Sequence, residues 1–450
     1  MSTPLAPTGS AYLAHALATL RSHQEAAERT LTLIPAENLL APIARLPLIA
    51  DAYARYMFDD HPDPASGQWH FPAARTAAWL ETGLAIPLLR YLGRAEHVNV
   101  RPLSGLNAMQ LLLAALGGPP GSRILVIAPG NGGHYASASL ARRMGLHPIY
   151  LSGPEPHHLD LDALARACTN HQPSLVYIDQ CHGLVPFNLE EITAVVRRHS
   201  PSTYLHADVS HWLGLILGRA LPNPLDEGVD SYGGSTHKSF PGPHKGVLLT
   251  NTAEIAARWR AVQPELVSSH HFGAVASLGL ALAAFLDHGP AYATAVVQNT
   301  QILGKHLAAA SWQVAGEEFG YSAGHQLWVS TAPRLPAQQA AGHLAAVGIY
   351  VNWLEDLPLP APALRLGLAE ATWLGLTGQH MPQLAHLITS ALTQPEQADR
   401  IAEQVAHLRT QATYPYVPAL PEQALNDAIA VLDGALGPIL RDLPDPAGED

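Results

Sequence analysis

Two cysteines, Cys168 and Cys181, are all that 450 residues carry. That excludes a disulfide framework and suits a reducing compartment. No stretch reads as an uninterrupted apolar span of about twenty residues, so no membrane crossing is expected. The opening Met1-Ser2-Thr3-Pro4-Leu5-Ala6-Pro7 lacks a basic run followed by an apolar one. No secretory signal is therefore expected, and the expected location is the cytoplasm. Basic clusters are missing too, and the formal net charge is -12. This argues against nucleic acid or an anionic membrane as a partner. The 25 histidines show no paired spacing that demands a metal, and none is expected. Lysine is scarce beside arginine, which makes Lys238 and Lys245 conspicuous.

What is present is alternation. The length favours two packed units over one core. Apolar positions at helical spacing from Tyr12 to Arg29 suggest an arm helix. Strand-like runs follow at Ile124–Ile127, Pro148–Leu151, Leu175–Ile178 and Gly246–Thr250, with helical runs over Leu106–Leu116, Ala136–Met144 and Leu189–Arg198. Such a pattern predicts an α/β fold whose central sheet is mainly parallel and covered on both faces. A helix over Ala291–Ala310 should lead into a smaller α+β unit containing His325–Ser330 and a strand at Ile349. The expected division is an N-terminal arm over 1–46, a large domain over 47–305 and a C-terminal domain over 306–450. The tail after Asp442 has no apolar pattern and is expected to fray.

Two strings carry the chemistry. Lys238 follows the small, hydroxyl-rich run Ser231-Tyr232-Gly233-Gly234-Ser235-Thr236-His237, and Asp208 ends the apolar run Leu205-His206-Ala207. A lysine after such a turn suits a Schiff base with an aldehyde cofactor, because burial helps keep the amine deprotonated. An aspartate leaving a strand can pair with a protonated pyridine nitrogen, which makes pyridoxal 5'-phosphate (PLP) an effective electron sink. Ser104-Gly105-Leu106 opens a predicted helix, where backbone N–H groups could hold a phosphate; the plain alternative is an ordinary helix cap at Ser104. Arg365 has the planar fork that takes a carboxylate by two parallel hydrogen bonds. A surface salt bridge is its plain alternative.

Seven collinear motifs add a resemblance. Leu33-Ile34-Pro35-Ala36-Glu37-Asn38, Ala95–Gly105, Gly132-Gly133-His134, Asp208-Val209-Ser210-His211, Ser235-Thr236-His237-Lys238, Gly348–Asn352 and Leu364-Arg365-Leu366-Gly367 are similar to motifs of the serine hydroxymethyltransferase family of fold-type I PLP enzymes. The resemblance implies Lys238 as the Schiff-base residue, Asp208 on the ring nitrogen and His134 flat on the ring. It also implies His211 near the phenolic oxygen and Ser104, Gly105, Leu106, Ser235 and His237 among the cofactor contacts. Arg365, Tyr56, Asp59 and Glu37 would meet an α-amino acid, with Tyr56 also serving the chemistry. The family breaks a Cα–Cβ bond through an external aldimine and a quinonoid. A homodimer with shared sites is implied as well, with Tyr56–Phe71 and Ser268–His271 near its seam.

The departures bear on the reaction. Where the family carries a glutamate and paired tyrosines for the hydroxyl and the folate, this chain has Phe58, or Asp59 one residue on, and then Trp69-His70-Phe71. Its glycine-rich loop is replaced near Ser268-Ser269-His270-His271. The favoured reading is a folate-independent aldolase or transaldolase for β-hydroxy (or β-substituted) α-amino acids. A PLP lyase that eliminates, decarboxylates or deaminates, and a genuine hydroxymethyltransferase, remain as alternatives. A non-catalytic PLP-binding protein is disfavoured by the retention of Lys238, Asp208 and Arg365.

Overall fold

The computed structural model describes residues 9–59, 69–154, 156–355, 357 and 362–440. A short strand, β1 (Leu31–Thr32), follows the arm helix Gly9–Ala27. The next seven strands are β2 (His97–Asn99), β3 (Arg123–Ile127), β4 (His147–Leu151), β5 (Leu175–Asp179), β6 (Tyr204–Asp208), β7 (Ser231–Ser235) and β8 (Gly246–Thr250). They form one sheet in the order β2-β8-β7-β6-β5-β3-β4, in which the two antiparallel pairings are those of β8. Every residue of β5, β7 and β8 is buried. Helices cover both faces of this sheet, which is why β5, β7 and β8 are buried along their whole length and do not alternate.

Apart from the short Leu213–Leu217, the helices between these strands start where side chains satisfy free N–H groups. Asp160 and Asn188 accept from the backbone N–H of Ala163 and Glu191 at the starts of Leu161–His171 and Leu189–His199. Parallel registry then aligns the strand ends: Asp179 stands opposite Asp208, and Asp208 opposite Gly233. The carboxyl edge of an open α/β sheet is where ligand-binding loops gather.

Five more strands follow, β9 (Gln313–Val314), β10 (Gln326–Ser330), β11 (Ile349–Tyr350), β12 (Asn352–Leu354) and β13 (Ala363–Gly367). Four of these pair antiparallel in the order β12-β13-β10-β9, while β11 pairs in parallel with β1. Leu31 and Leu33 consequently lie in the same apolar core as Leu327, Ile349 and Leu366. The first residues after the arm helix are thus packed with the C-terminal unit.

One helix differs from the sequence reading. The expected helix over Ala291–Ala310 is the second half of a 38-residue helix, Phe272–Ala309, with Pro290 inside it and the 305/306 boundary within its last turn. Proline removes one helical hydrogen bond and normally ends or kinks a helix. Burial of Phe285 before it and Tyr292, Ala293 and Val296 after it outweighs that loss. The helix is long and apolar enough to cross a bilayer, but 72% of its most apolar window is buried inside the protein. The tail after Asp442 lies outside the described residues.

Candidate active site

Gly105, Leu106, His134, Asp208, His211, Ser235 and Lys238 line one cavity at the carboxyl edge of the main sheet. The close approach at its floor depends on glycine. A side chain at Gly105 would put its Cβ 2.2 Å from Ser235 Oγ, and one at Gly234, where φ is +137°, would come 2.8 Å from Asp208 Oδ1. Ser104 caps the helix Gly105–Leu116, its Oγ accepting from the Asn107 N–H. The helix N-terminus faces the cavity through Gly105 and Leu106.

Asp208 is held by both oxygens. Tyr177 Oη donates to Oδ2 at 2.6 Å and the Ser210 N–H to Oδ1 at 2.9 Å. Each carboxylate oxygen keeps acceptor capacity beyond one bond. Lys238 lies within reach of His211, with Nζ 3.4 Å from its Nε2. Burial lowers the Lys238 pKa, and the Arg365 charge adds to this against the opposing pull of Asp208. The Lys238 carbonyl accepts from Asn38 Nδ2 at 2.7 Å, so the LIPAEN segment fixes the backbone beneath the amine.

Arg365 is buried and oriented from β13. Its Nε donates to Gln326 Oε1 and its Nη2 to the Cys181 carbonyl, both at 2.7 Å. Nη2 also lies 3.3 Å from His211 Nε2. The surface salt bridge weighed as an alternative is not its role here. Lys238, His211 and Arg365 form one contiguous group.

His134 begins the helix Tyr135–Arg143, with Nδ1 accepting from the Ala136 N–H and its ring 4.5 Å from that of Tyr135. The His134 N–H donates to Asp179 Oδ1 at 2.9 Å, and Ser137 Oγ bonds Asp179 Oδ2. Burial pushes the Asp179 carboxyl up to about 8; the charge of Asp208 adds to the rise, and the Ser137 bond opposes it. Sequence reasoning missed Asp179. The available signal was its position at the end of the run Leu175-Val176-Tyr177-Ile178, which matches that of Asp208.

Other expected residues lie elsewhere. His237 stacks on His244 at 3.9 Å and is not among the cavity-lining residues. Glu37 is exposed in a turn closed by its N–H to the Ile34 carbonyl. Tyr56 is exposed and packs against Phe71 at 5.1 Å. The Asp59 carboxylate is buried, accepting from the backbone N–H groups of His70 and Phe71 at 3.3 and 3.5 Å. Within one chain, Tyr56, Asp59 and Glu37 are not brought to the cavity. Residues 60–68 of that segment lie outside the described residues.

The sequence model of serine hydroxymethyltransferase matches residues 18–388. The chain belongs to the serine hydroxymethyltransferase family. Identity is higher to L-threonine:uridine-5'-aldehyde transaldolases than to the serine hydroxymethyltransferases it matches. The chain is 44% identical to an L-threonine:uridine-5'-aldehyde transaldolase of an Amycolatopsis species, over 79% of this chain and 86% of that protein. Serine hydroxymethyltransferase of Thermoplasma volcanium is 31% identical over 85% of this chain and 90% of its own length. A crystal structure of L-threonine transaldolase from Pseudomonas fluorescens in its internal aldimine state superposes with a TM-score of 0.84 at 27% identity, covering 95% of this chain and 98% of that one. The fold is that of a fold-type I PLP enzyme, and the protein is a PLP-dependent enzyme of the aldolase/transaldolase type acting on a β-hydroxy-α-amino acid. The residues present fit the cofactor. A half-buried lysine, a strand-end aspartate and a helix N-terminus that only glycine lets close upon Ser235 converge on one cavity.

Proposed function

We propose that this enzyme is a folate-independent transaldolase. It takes a glycyl unit from L-threonine and transfers it to an aldehyde of nucleoside type. PLP, when bound, supplies an electron sink for the cleavage of a bond at Cα. The chain's own groups select which bond. Arg365, held by Gln326 and the Cys181 carbonyl, is placed to receive the amino-acid carboxylate and so to set the orientation about Cα. His211 Nε2, beside both Lys238 and Arg365, is placed to hold the proton that leaves the β-hydroxyl. Each turnover breaks one Cα–Cβ bond, releasing acetaldehyde, and makes another to the incoming aldehyde carbon, whose oxygen takes up a proton.

The observation that carries this reading is the identity to L-threonine:uridine-5'-aldehyde transaldolases, 44% against 31% for a hydroxymethyltransferase of comparable coverage. The exposed Phe58 supports folate independence, because a phenyl ring where the family has a glutamate can neither take nor give a proton. Purified enzyme incubated with L-threonine and uridine-5'-aldehyde should release acetaldehyde and form a product heavier than the aldehyde by the mass of glycine. Faster formation of serine from glycine and methylene-tetrahydrofolate would instead establish a hydroxymethyltransferase.

We further propose a homodimer. Tyr56, Phe58 and Phe71 are exposed yet packed on one another, and the arm helix Gly9–Ala27 buries none of its residues. A second copy would cover both and bring Tyr56 towards the partner's cavity. Sedimentation that finds an active monomer at assay concentration would refute it.

A further inference from the structure

Behind His211 lies a second imidazole to which neither the motifs nor the chemistry above assigns a task. His325 immediately precedes β10, is fully buried, and places Nε2 3.2 Å from His211 Nδ1. The two rings are stacked, with centroids 5.4 Å apart and planes 22° from parallel. The neighbouring residue, Gln326, orients Arg365. One short stretch therefore touches two members of the group around Lys238.

The donors around His211 decide its proton. A guanidinium has N–H groups and no acceptor. Arg365 Nη2 lies 3.3 Å from His211 Nε2, so that nitrogen must present its lone pair. In the neutral ring the proton then sits on Nδ1 and is donated to His325. His325 Nε2 must accept it, which leaves the His325 proton on its own Nδ1, a buried atom with no partner among the described residues. Each assignment forces the next. We propose that His325 is a positioning residue that locks His211 in the tautomer whose Nε2 lone pair faces Lys238.

Electrostatics agrees with the geometry. The largest influences on His211 disfavour a charge on it: burial first, then Lys238, Arg365, His325 and His182, while the Cys181 thiol lies 4.0 Å from Nε2. Burial likewise holds His325 down to about 3, with Arg365 and Lys238 adding to the effect. In a neutral pair the His211 Nε2 lone pair, once Arg365 turns Nη2 to a substrate carboxylate, is the one that meets a substrate hydroxyl. If it takes the hydroxyl proton, Nδ1–H keeps its acceptor in His325. The inference concerns the chain's own tautomer and holds whichever aldehyde the enzyme accepts.

Histidine-selective 15N labelling of the full-length enzyme, read by two-bond proton–nitrogen correlations, tests it directly. In the wild type, His211 should show a protonated Nδ1 and an unprotonated Nε2 at neutral pH. Finding the proton on Nε2 would overturn the proposal without any variant. His325→Leu removes the acceptor and should yield mixed tautomers, a threonine-cleavage kcat lower by roughly 10- to 100-fold, a displaced pH profile and little change in KM. His325→Gln can place an oxygen where Nε2 stood, and should restore the tautomer and most of kcat. A His325→Leu enzyme with unaltered tautomer and pH profile, or a folded His325→Gln enzyme no better than His325→Leu, would count against it.

Discussion

Asp179 and Asp208 are register partners across two adjacent parallel strands, so two carboxyl groups reach the same cavity side by side. Their surroundings differ. Asp208 accepts from a phenol and a backbone N–H. Asp179 is pushed up to about 8 and so carries its proton at neutral pH.

The pair should therefore respond unequally to the same change. Asp179→Asn supplies an oxygen for the His134 N–H and an N–H for Ser137, as the protonated acid does. Its loss of kcat should stay within about tenfold. Asp208→Asn removes a charge that a pyridinium needs and should cost about a hundredfold or more in kcat while leaving cofactor bound. Steady-state threonine cleavage and the visible cofactor band check both. Equal losses would mean that Asp179 is ionised.

A pH dependence of stability follows from the same carboxyl. Unfolded, Asp179 titrates near 3.8; folded, near 8. Between those values the folded chain holds a proton that the unfolded chain has lost, so this residue's contribution falls as pH rises from about 4 to about 8. Asp179→Asn cannot lose that proton. Its melting temperature relative to wild type should climb across that window in the cofactor-free protein, and a flat difference would show the shift to be absent.

Arg365→Lys keeps the charge but cannot bond Gln326, the Cys181 carbonyl and a carboxylate at once. Hydrogen bonds to charged groups contribute about 1.5–3 kcal/mol. KM for L-threonine is expected to rise roughly 10- to 100-fold, with a smaller effect on the aldehyde. Initial rates at varied threonine separate the two.

Asn38→Ala deletes a donor to the Lys238 carbonyl and a contact to Tyr292 Oη. Leaving a half-buried carbonyl without its partner should destabilise the protein by about 1–3 kcal/mol. The lysine should also react more slowly with added cofactor. Denaturant titration and the growth of the visible band on reconstitution give the two readings.

Much of this site could be read from the chain because its residues sit where local pattern changes. Lys238, Asp208 and His134 each stand at a strand end or beside a glycine pair, and Arg365 sits within the strand of the Leu364–Gly367 motif. The sequence shows those transitions. What it could not show depends on contacts between distant segments. His325 looks like any residue before a strand until His211 is packed against it. Asp179 looks like the close of an apolar run until parallel registry sets it beside Asp208. The family resemblance implies Asp59 as a substrate contact, but within this chain its oxygens are used by the backbone of His70 and Phe71. The helix expected over Ala291–Ala310 begins well before Pro290, and only the packing of Phe285 and Tyr292 shows why it runs through that proline.

The pairing of β1 with β11 joins residues just after the arm helix to residues within the second unit. It closes a loop of roughly three hundred residues, at an entropic cost that grows only slowly with length. On the ribosome, though, the delay is real. Asn38 emerges early, but the strand that fixes its segment and the arginine behind it are made roughly three hundred residues later. A nascent chain can build most of the large sheet and still lack a finished lysine pocket. Maturation of the pocket thus waits on synthesis of the second unit's strands, and a chain truncated before β11 would leave β1 an unpaired edge.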